Sequence, residues 1–185
     1  MVLVAAGAVV ASLLATAAQG FDGYQFYESV TTRGLYPKQV TVPAGGSYEV
    51  YGIEWKAAVA PTDPPEDNKH GPEVTYLAID VRQKVVDEDS APMTALPTEL
   101  KLTDRAGRSW AVDWVPGERP TDRLVVGKEY RVEGVAKVPT PVKDEVELSF
   151  RPSSYRSDTP TEDLFKRDSE AVSIDNLFEL TFKRR

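Results

Sequence analysis

Two rhythms of apolar and polar residues divide the chain. Residues 2–18, VLVAAGAVVASLLATAA, are apolar on every side, with only Ser12 and Thr16 polar. Such a run has no 3.6-residue stripe to turn toward a core, so it suits lipid better than a globular surface. As a helix it would span about 25 Å at 1.5 Å per residue, the short end of what crosses a bilayer. From residue 39 the period becomes two, the signature of strands with one buried face.

The predicted strands are short. Residues 39–42 and 48–56 flank Pro43-Ala44-Gly45-Gly46, a turn sequence. Tyr48 and Val50 share one face, whereas Tyr51, Ile53 and Trp55 share the other. This change of phase at Tyr51-Gly52 predicts a β-bulge. A polar loop over 61–72 leads to a strand over 74–81, with Leu77, Ile79 and Val81 in phase. Residues 99–103 and 109–115 form the clearest hairpin: Leu100 and Leu102 alternate in one arm, Trp110, Val112 and Trp114 in the other. Asp104-Arg105-Ala106-Gly107 joins them, an Asp to open a type I turn and a Gly able to take positive φ. Residues 124–126 predict a short strand running through Gly127-Lys128 into 130–138, where Tyr130, Val132, Gly134, Ala136 and Val138 fall on one side. Val146, Leu148 and Phe150 point inward from 145–150, and Phe178, Leu180 and Phe182 from 177–182. Residues 151–173 are polar and irregular, with a single helical turn predicted around 162–166. About eight or nine short strands and no long helical stripe predict a β-sandwich.

Charge sharpens the division. No charged side chain occurs in residues 1–20, and the remainder carries 22 Lys and Arg against 29 Asp and Glu, a net charge of −7. A negative field repels phosphate backbones, which argues against nucleic acid as a partner. The chain has no cysteine, which excludes disulfides, thiolate metal sites, cysteine nucleophiles and lipid attachment through a lipobox cysteine. The apolar run then has two readings. Ala15-Thr16-Ala17 fits the small-x-small site of a cleaved signal peptide. In an uncleaved anchor, Phe21, Tyr24, Phe26 and Tyr27 would sit at the headgroup level, where aromatic rings are favoured. The anchor is the expectation taken: residues 1–20 as the span, 21–38 as a spacer, and 39–185 as a domain outside the cell membrane. Secretion after signal cleavage is the alternative.

The stretch from Leu100 to Trp110, with Asp104 and Gly107 at its turn, resembles a hairpin of the telokin-like, immunoprotective extracellular proteins. Leu124-Val125-Val126-Gly127-Lys128-Glu129-Tyr130, followed by Gly134 and Val138-Pro139, is similar to that family's next two strands, and Tyr76-Leu77-Ala78-Ile79-Asp80-Val81 to a central one. The resemblance covers residues 48–182. It implies an immunoglobulin-like fold on exported bacterial proteins, often lipoproteins or single-span membrane proteins, and brings no catalytic residues. The expected architecture is therefore all-β, an immunoglobulin-like sandwich of about eight or nine strands preceded by an N-terminal apolar helix.

Candidate chemistry is sparse. His70 is the one histidine, in a loop, whereas a hydrolytic triad needs a packed histidine and a typical zinc site needs several ligands. The loop acids Asp63, Glu66 and Asp67, and separately Asp87, Glu88 and Asp89, offer oxygen atoms to Ca²⁺ without the spacing of a helix-loop-helix site. A calcium site linking the two loops stays open, and no cofactor is expected. Trp55, Trp110 and Trp114 are in phase with core positions, Trp114 being nearest a strand end. The expected function is a non-enzymatic, membrane-anchored binding or assembly module that engages another protein. The alternative is a carbohydrate or cell-wall polymer binding module. Trp114, Tyr51 and Tyr155 are the candidate contact residues for either.

Overall fold

The computed structural model describes residues 21, 24, 37–115, 119–158, 161 and 177–184. The chain divides into two compact units, Met1–Pro37 and Lys38–Arg185. In the first, Phe21 and Tyr24 are helical and exposed. The apolar run 2–18 lies outside the described residues, as do Phe26, Tyr27 and the helical turn expected at 162–166. Among the described residues, no helix is long and apolar enough to cross a membrane.

Among the described residues of the second unit, the two-residue alternation becomes ten strands: β1 (Lys38–Val42), β2 (Ser47–Val50), β3 (Ile53–Thr62), β4 (Val74–Val85), β5 (Thr98–Thr103), β6 (Ser109–Ala111), β7 (Asp113–Val115), β8 (Glu129–Pro139), β9 (Glu147–Arg151) and β10 (Phe178–Phe182). They form two five-stranded sheets, the first in the order β1-β10-β9-β5-β6 and the second in the order β2-β3-β4-β8-β7. All pairings are antiparallel except β1 with β10. The sheets face each other across one core, in which the Trp55 ring of β3 meets the Phe150 ring of β9 at 5.3 Å. Leu77, Ile79 and Val81 of β4 pack there against Leu102, Leu148 and Leu180 of the first sheet. Each such burial contributes about 1.5–3 kcal/mol, which offsets the entropy of ordering the chain. The architecture is a β-sandwich.

Four sequence-based expectations change, three of them at places where the chain turns. First, the phase change at Tyr51-Gly52 is a complete two-residue hairpin, with Val50 opposite Ile53. Tyr51 and Gly52 have φ of 55° and 64°, as a type I′ connection requires. A bulge and a tight turn both invert the alternation, so phase alone does not separate them. Second, residues 109–115 are two strands: Ala111 pairs with Lys101 in the first sheet, and Asp113 pairs with Val135 in the second. The chain changes sheet at buried Val112. Third, residues 124–126 are not a strand, because Leu124 drops into a small core below while Gly127, at φ 78°, turns the chain into β8. Fourth, β3 runs on through Pro61. The two splits and the loss of 124–126 leave ten strands among the described residues, where eight or nine were expected.

Candidate functional site

The loops of the second unit gather at its two ends. At one end meet the Tyr51-Gly52 turn, the β4–β5 loop, the β7–β8 loop and the segment after β9. Their backbones are cross-bonded. Val86 N–H donates to the Gly52 carbonyl at 3.0 Å, Leu124 N–H to Ala91 at 2.7 Å, Gly127 N–H to Val85 at 2.8 Å and Ser157 N–H to Pro92 at 2.9 Å. Gly52 is needed here twice over: its φ is positive, and a Cβ would collide with Ser90 Oγ and Asp87 Oδ2. Beneath these loops Val85, Ala91, Leu124 and Tyr130 form a second, smaller core, and the Tyr130 hydroxyl accepts from Val125 N–H at 3.0 Å.

The top of this end is apolar and charged in alternation. Val86 and Leu96 of the β4–β5 loop, Val125 of the β7–β8 loop and Tyr155 after β9 are 39%, 44%, 58% and 54% exposed. Asp87 Oδ1 accepts from Ser90 N–H at 2.8 Å, and Glu88 binds Arg123 at 2.8 Å. Arg156 pairs with Asp158 at 3.0 Å, and the Asp158 carboxylate, followed by Asp89 and Asp87, pushes the Arg156 pKa up. These acids are thus engaged by backbone and guanidinium groups. The other acidic loop, with Asp63, Glu66 and Asp67, lies at the far end of β4, about 36 Å away at 3.3 Å per residue. A single calcium site joining the two loops is excluded by that separation. Among the described residues, no group of three or more His, Asp or Glu side chains is placed to hold a metal.

The sequence-derived contact residues separate. Tyr51 sits in the β2–β3 turn, half-buried, with its ring edge-on to Phe178 at 5.7 Å; burial pushes its pKa up. Trp114 sits on β7, opposite Gly134, and is 36% exposed. Since β2 and β7 are opposite edges of one sheet, about 19 Å of strand spacing lies between them. Tyr51 and Tyr155 belong to the loop end, Tyr51 with its ring turned onto Phe178 and Tyr155 exposed, whereas Trp114 lies on the β7 edge. The three rings do not form one platform. Of the other tryptophans, Trp55 is fully buried and Trp110 is half-buried, as in-phase placement implies. His70 is on the exposed loop at the opposite end, its N–H bound to Asn68 Oδ1 at 2.9 Å and its ring 6.5 Å from that of Tyr76.

Two polar groups went unread in the sequence. Gln83 is fully buried in β4, where its amide donates to the Met93 carbonyl at 3.4 Å and its oxygen accepts from Arg119. Burial lowers the Arg119 pKa, and its Nε and Nη1 make no hydrogen bond. The signal for Gln83 was present, because it continues the inward series Leu77, Ile79, Val81 and ends it with Val85. Glu179 is the second. It is 9% exposed on the outer side of the first sheet, where it accepts from Gln39 at 2.9 Å and pairs with Lys101 at 3.0 Å. Burial raises its pKa, but the hydrogen bonds from Gln39 and Lys101 and the charges of Lys101 and Arg151 outweigh that and hold it low. Ser149, Thr181 and Thr103 line a shallow trough of 340 Å³ around this pair.

No protein-family model matches the chain, and no curated protein matches it. In fold, the chain is similar to the yjhA protein from Bacillus subtilis, with 17% identity, 77% of this chain and 99% of that one covered, and a TM-score of 0.49. It is also similar to MPT63, a secreted protein from Mycobacterium tuberculosis, at 12% identity over 63% and 90% of the two chains and a TM-score of 0.45. An uncharacterized β-sandwich protein from Clostridium difficile 630 matches at 13% identity over 81% and 97%, with a TM-score of 0.44. At these TM-scores the likenesses add no weight to the two-sheet architecture already described.

Proposed function

We propose that the chain is a non-enzymatic binding or assembly module, anchored by residues 2–18 on the outer side of a membrane, whose immunoglobulin-like domain engages another protein through the loop end. The observation that carries this reading is Val86, Leu96, Val125 and Tyr155, apolar side chains held open to solvent on loops braced by backbone hydrogen bonds. Large apolar groups displayed on a fixed frame lose little entropy on binding and supply most of the energy of a protein contact. The frame is acidic at Asp87, Glu88 and Asp89 and basic at Arg123 and Arg156, so a partner would be selected by paired charge around the apolar side chains. Anchoring rests on the uncharged run 2–18 and on the aromatic residues Phe21, Tyr24, Phe26 and Tyr27 that follow it.

The test is affinity isolation of the full-length chain from membranes, alongside a Val125→Asp/Tyr155→Ala variant, with N-terminal sequencing of the recovered bait. A stoichiometric protein held by the unaltered chain and lost from the variant supports the reading. Equal recovery by both overturns the loop end as the contact. Retention on peptidoglycan or glycan resin, with no protein recovered, favours the carbohydrate alternative. A mature N-terminus near Ala18 overturns the anchor.

A further inference from the structure

Strand β3 is ten residues long, yet β2 covers only its first four, with Ser47 opposite Lys56 as the last pair. Among the described residues, no strand pairs with the outer side of residues 57–62. In a two-residue hairpin the pair flanking the turn is hydrogen-bonded, so Ile53 and Trp55 direct their N–H and C=O groups toward β2. Ala57 and Val59 continue that series and therefore direct theirs to the side that no described strand covers. Pro61 is next in the same series. Its nitrogen, which carries no hydrogen, faces the free side, so it sits within β3 without removing a bond to Leu77 of β4. Residues 57–62, Ala-Ala-Val-Ala-Pro-Thr, carry no charge in a chain of net charge −7; they lack the lysine that commonly guards such an edge, and Pro61 blunts only its far end.

We infer that this edge pairs antiparallel with the same segment of a second copy of the chain, Val59 against Val59, so that the two second sheets become one continuous sheet. Around that two-fold the Val59 N–H and C=O groups bond reciprocally, and each Ala57 N–H meets the partner's Pro61 carbonyl. The flanks choose the orientation. Lys56, ion-paired with Glu54 at 3.3 Å, precedes the segment, and Arg82, paired with Asp80, and Lys84 lie opposite on β4, so that cations outnumber acids on this flank, whereas Asp63, Glu66 and Asp67 follow the segment. An antiparallel pair sets the basic flank of each copy against the acidic flank of the other, and a parallel pair would set like against like. The opposite sheet edge, β7, is three residues long and offers no comparable length. The edge is separate from the loop end, so either proposal can fail without the other.

The absence of cysteine in the chain makes the test clean. Val59→Cys is introduced into the full-length chain in membranes and oxidised, with Ala111→Cys, on the edge strand β6, as the comparison. A hydrogen-bonded cross-strand pair separates Cα atoms by about 5.5 Å, within reach of a disulfide. The expected result is a covalent homodimer from Val59→Cys at least about tenfold above that from Ala111→Cys. Adding Lys56→Glu reduces the yield severalfold, and adding Asp63→Lys with it restores the yield. Equal yields from the two cysteine variants, a cross-link to a different protein, or no rescue by Asp63→Lys would each overturn the inference. Thermal melting of each variant confirms that the domain remains folded.

Discussion

At the flank formed by β6 and β7, one continuous stretch of chain passes from the first sheet to the second at Val112, and both edges end after three residues. At the other flank, the chain also crosses between sheets, from β1 to β2, but β2 ends after four residues while β3 continues for ten. The first flank is closed by covalent continuity and a buried side chain. The second is closed over the first four of the ten residues of β3, and no described strand covers the rest. The difference teaches that covering a sheet edge is a matter of matched strand lengths, which no single strand's pattern reveals.

The two halves of β3 give the sharpest way to break this comparison. Trp55, 1% exposed and packed on Phe150, belongs to the covered half, and Trp55→Ala should cost about 3–5 kcal/mol in denaturant unfolding. Val59 belongs to the uncovered half and is only half-buried, so Val59→Ala should cost less than about 1 kcal/mol. Equal costs would mean that both halves are covered alike.

The turns of the open flank come next in size. Gly45 and Gly52 both have positive φ, at 70° and 64°, but a Cβ at Gly45 meets nothing within 4 Å, whereas one at Gly52 strikes the β4–β5 loop. Gly45→Ala should therefore lose about 1 kcal/mol from backbone strain alone, and Gly52→Ala at least about 2 kcal/mol. On the closed flank, a Cβ at Gly134 would lie 2.5 Å from Val112 Cγ1. Gly134→Ala should lose about 1–3 kcal/mol. The double variant with Val112→Ala should lose less than the sum of the two single changes, since one removes the atom the other strikes. Strict additivity in the unfolding energies would break the claim that Val112 closes this flank.

The smallest effect concerns how β1 is tied down. Glu179 accepts from Gln39 of β1 at 2.9 Å, and its folded pKa is held below the ordinary value. A depressed carboxylate pKa stabilises the fold above the unfolded value, about 4.3 for Glu, and that stabilisation is lost as pH falls through the folded one. Melting temperatures measured from pH 6 down to about pH 3 should therefore fall more steeply in the unaltered chain than in Glu179→Gln. Parallel slopes would mean that the Gln39–Glu179–Lys101 contact contributes nothing in solution.

Much of the fold was legible wherever one face of a strand meets the core. The series from Tyr130 to Val138 is buried at every second position as its alternation implies. The hairpin turn matches too. Asp104 Oδ1 accepts from Ala106 and Arg108 N–H at 3.0 and 2.9 Å, and Gly107 takes φ 81°. Legibility failed where a local signal has two tertiary outcomes. Tyr51 takes positive φ, an uncommon place for a bulky residue, and its ring packs on Phe178 of the facing sheet. Pro61 reads as loop chemistry until β3 is seen to have a free side. The candidate site was the least legible: Tyr155 lies at the loop end, but Val86, Leu96 and Val125 are ordinary apolar residues until the fold leaves them exposed on loops that gather at that end.

By itself the sequence determined an uncharged apolar run followed by an acidic, cysteine-free body of alternating strands, because side-chain periodicity follows directly from backbone geometry. Which strands share a sheet, where the chain changes sheet, and which edge stays open were decided only by the tertiary structure. Those outcomes depend on pairings between residues far apart in the chain, such as Asp113 with Val135 or Lys38 with Phe178, and no local pattern encodes the choice of a distant partner.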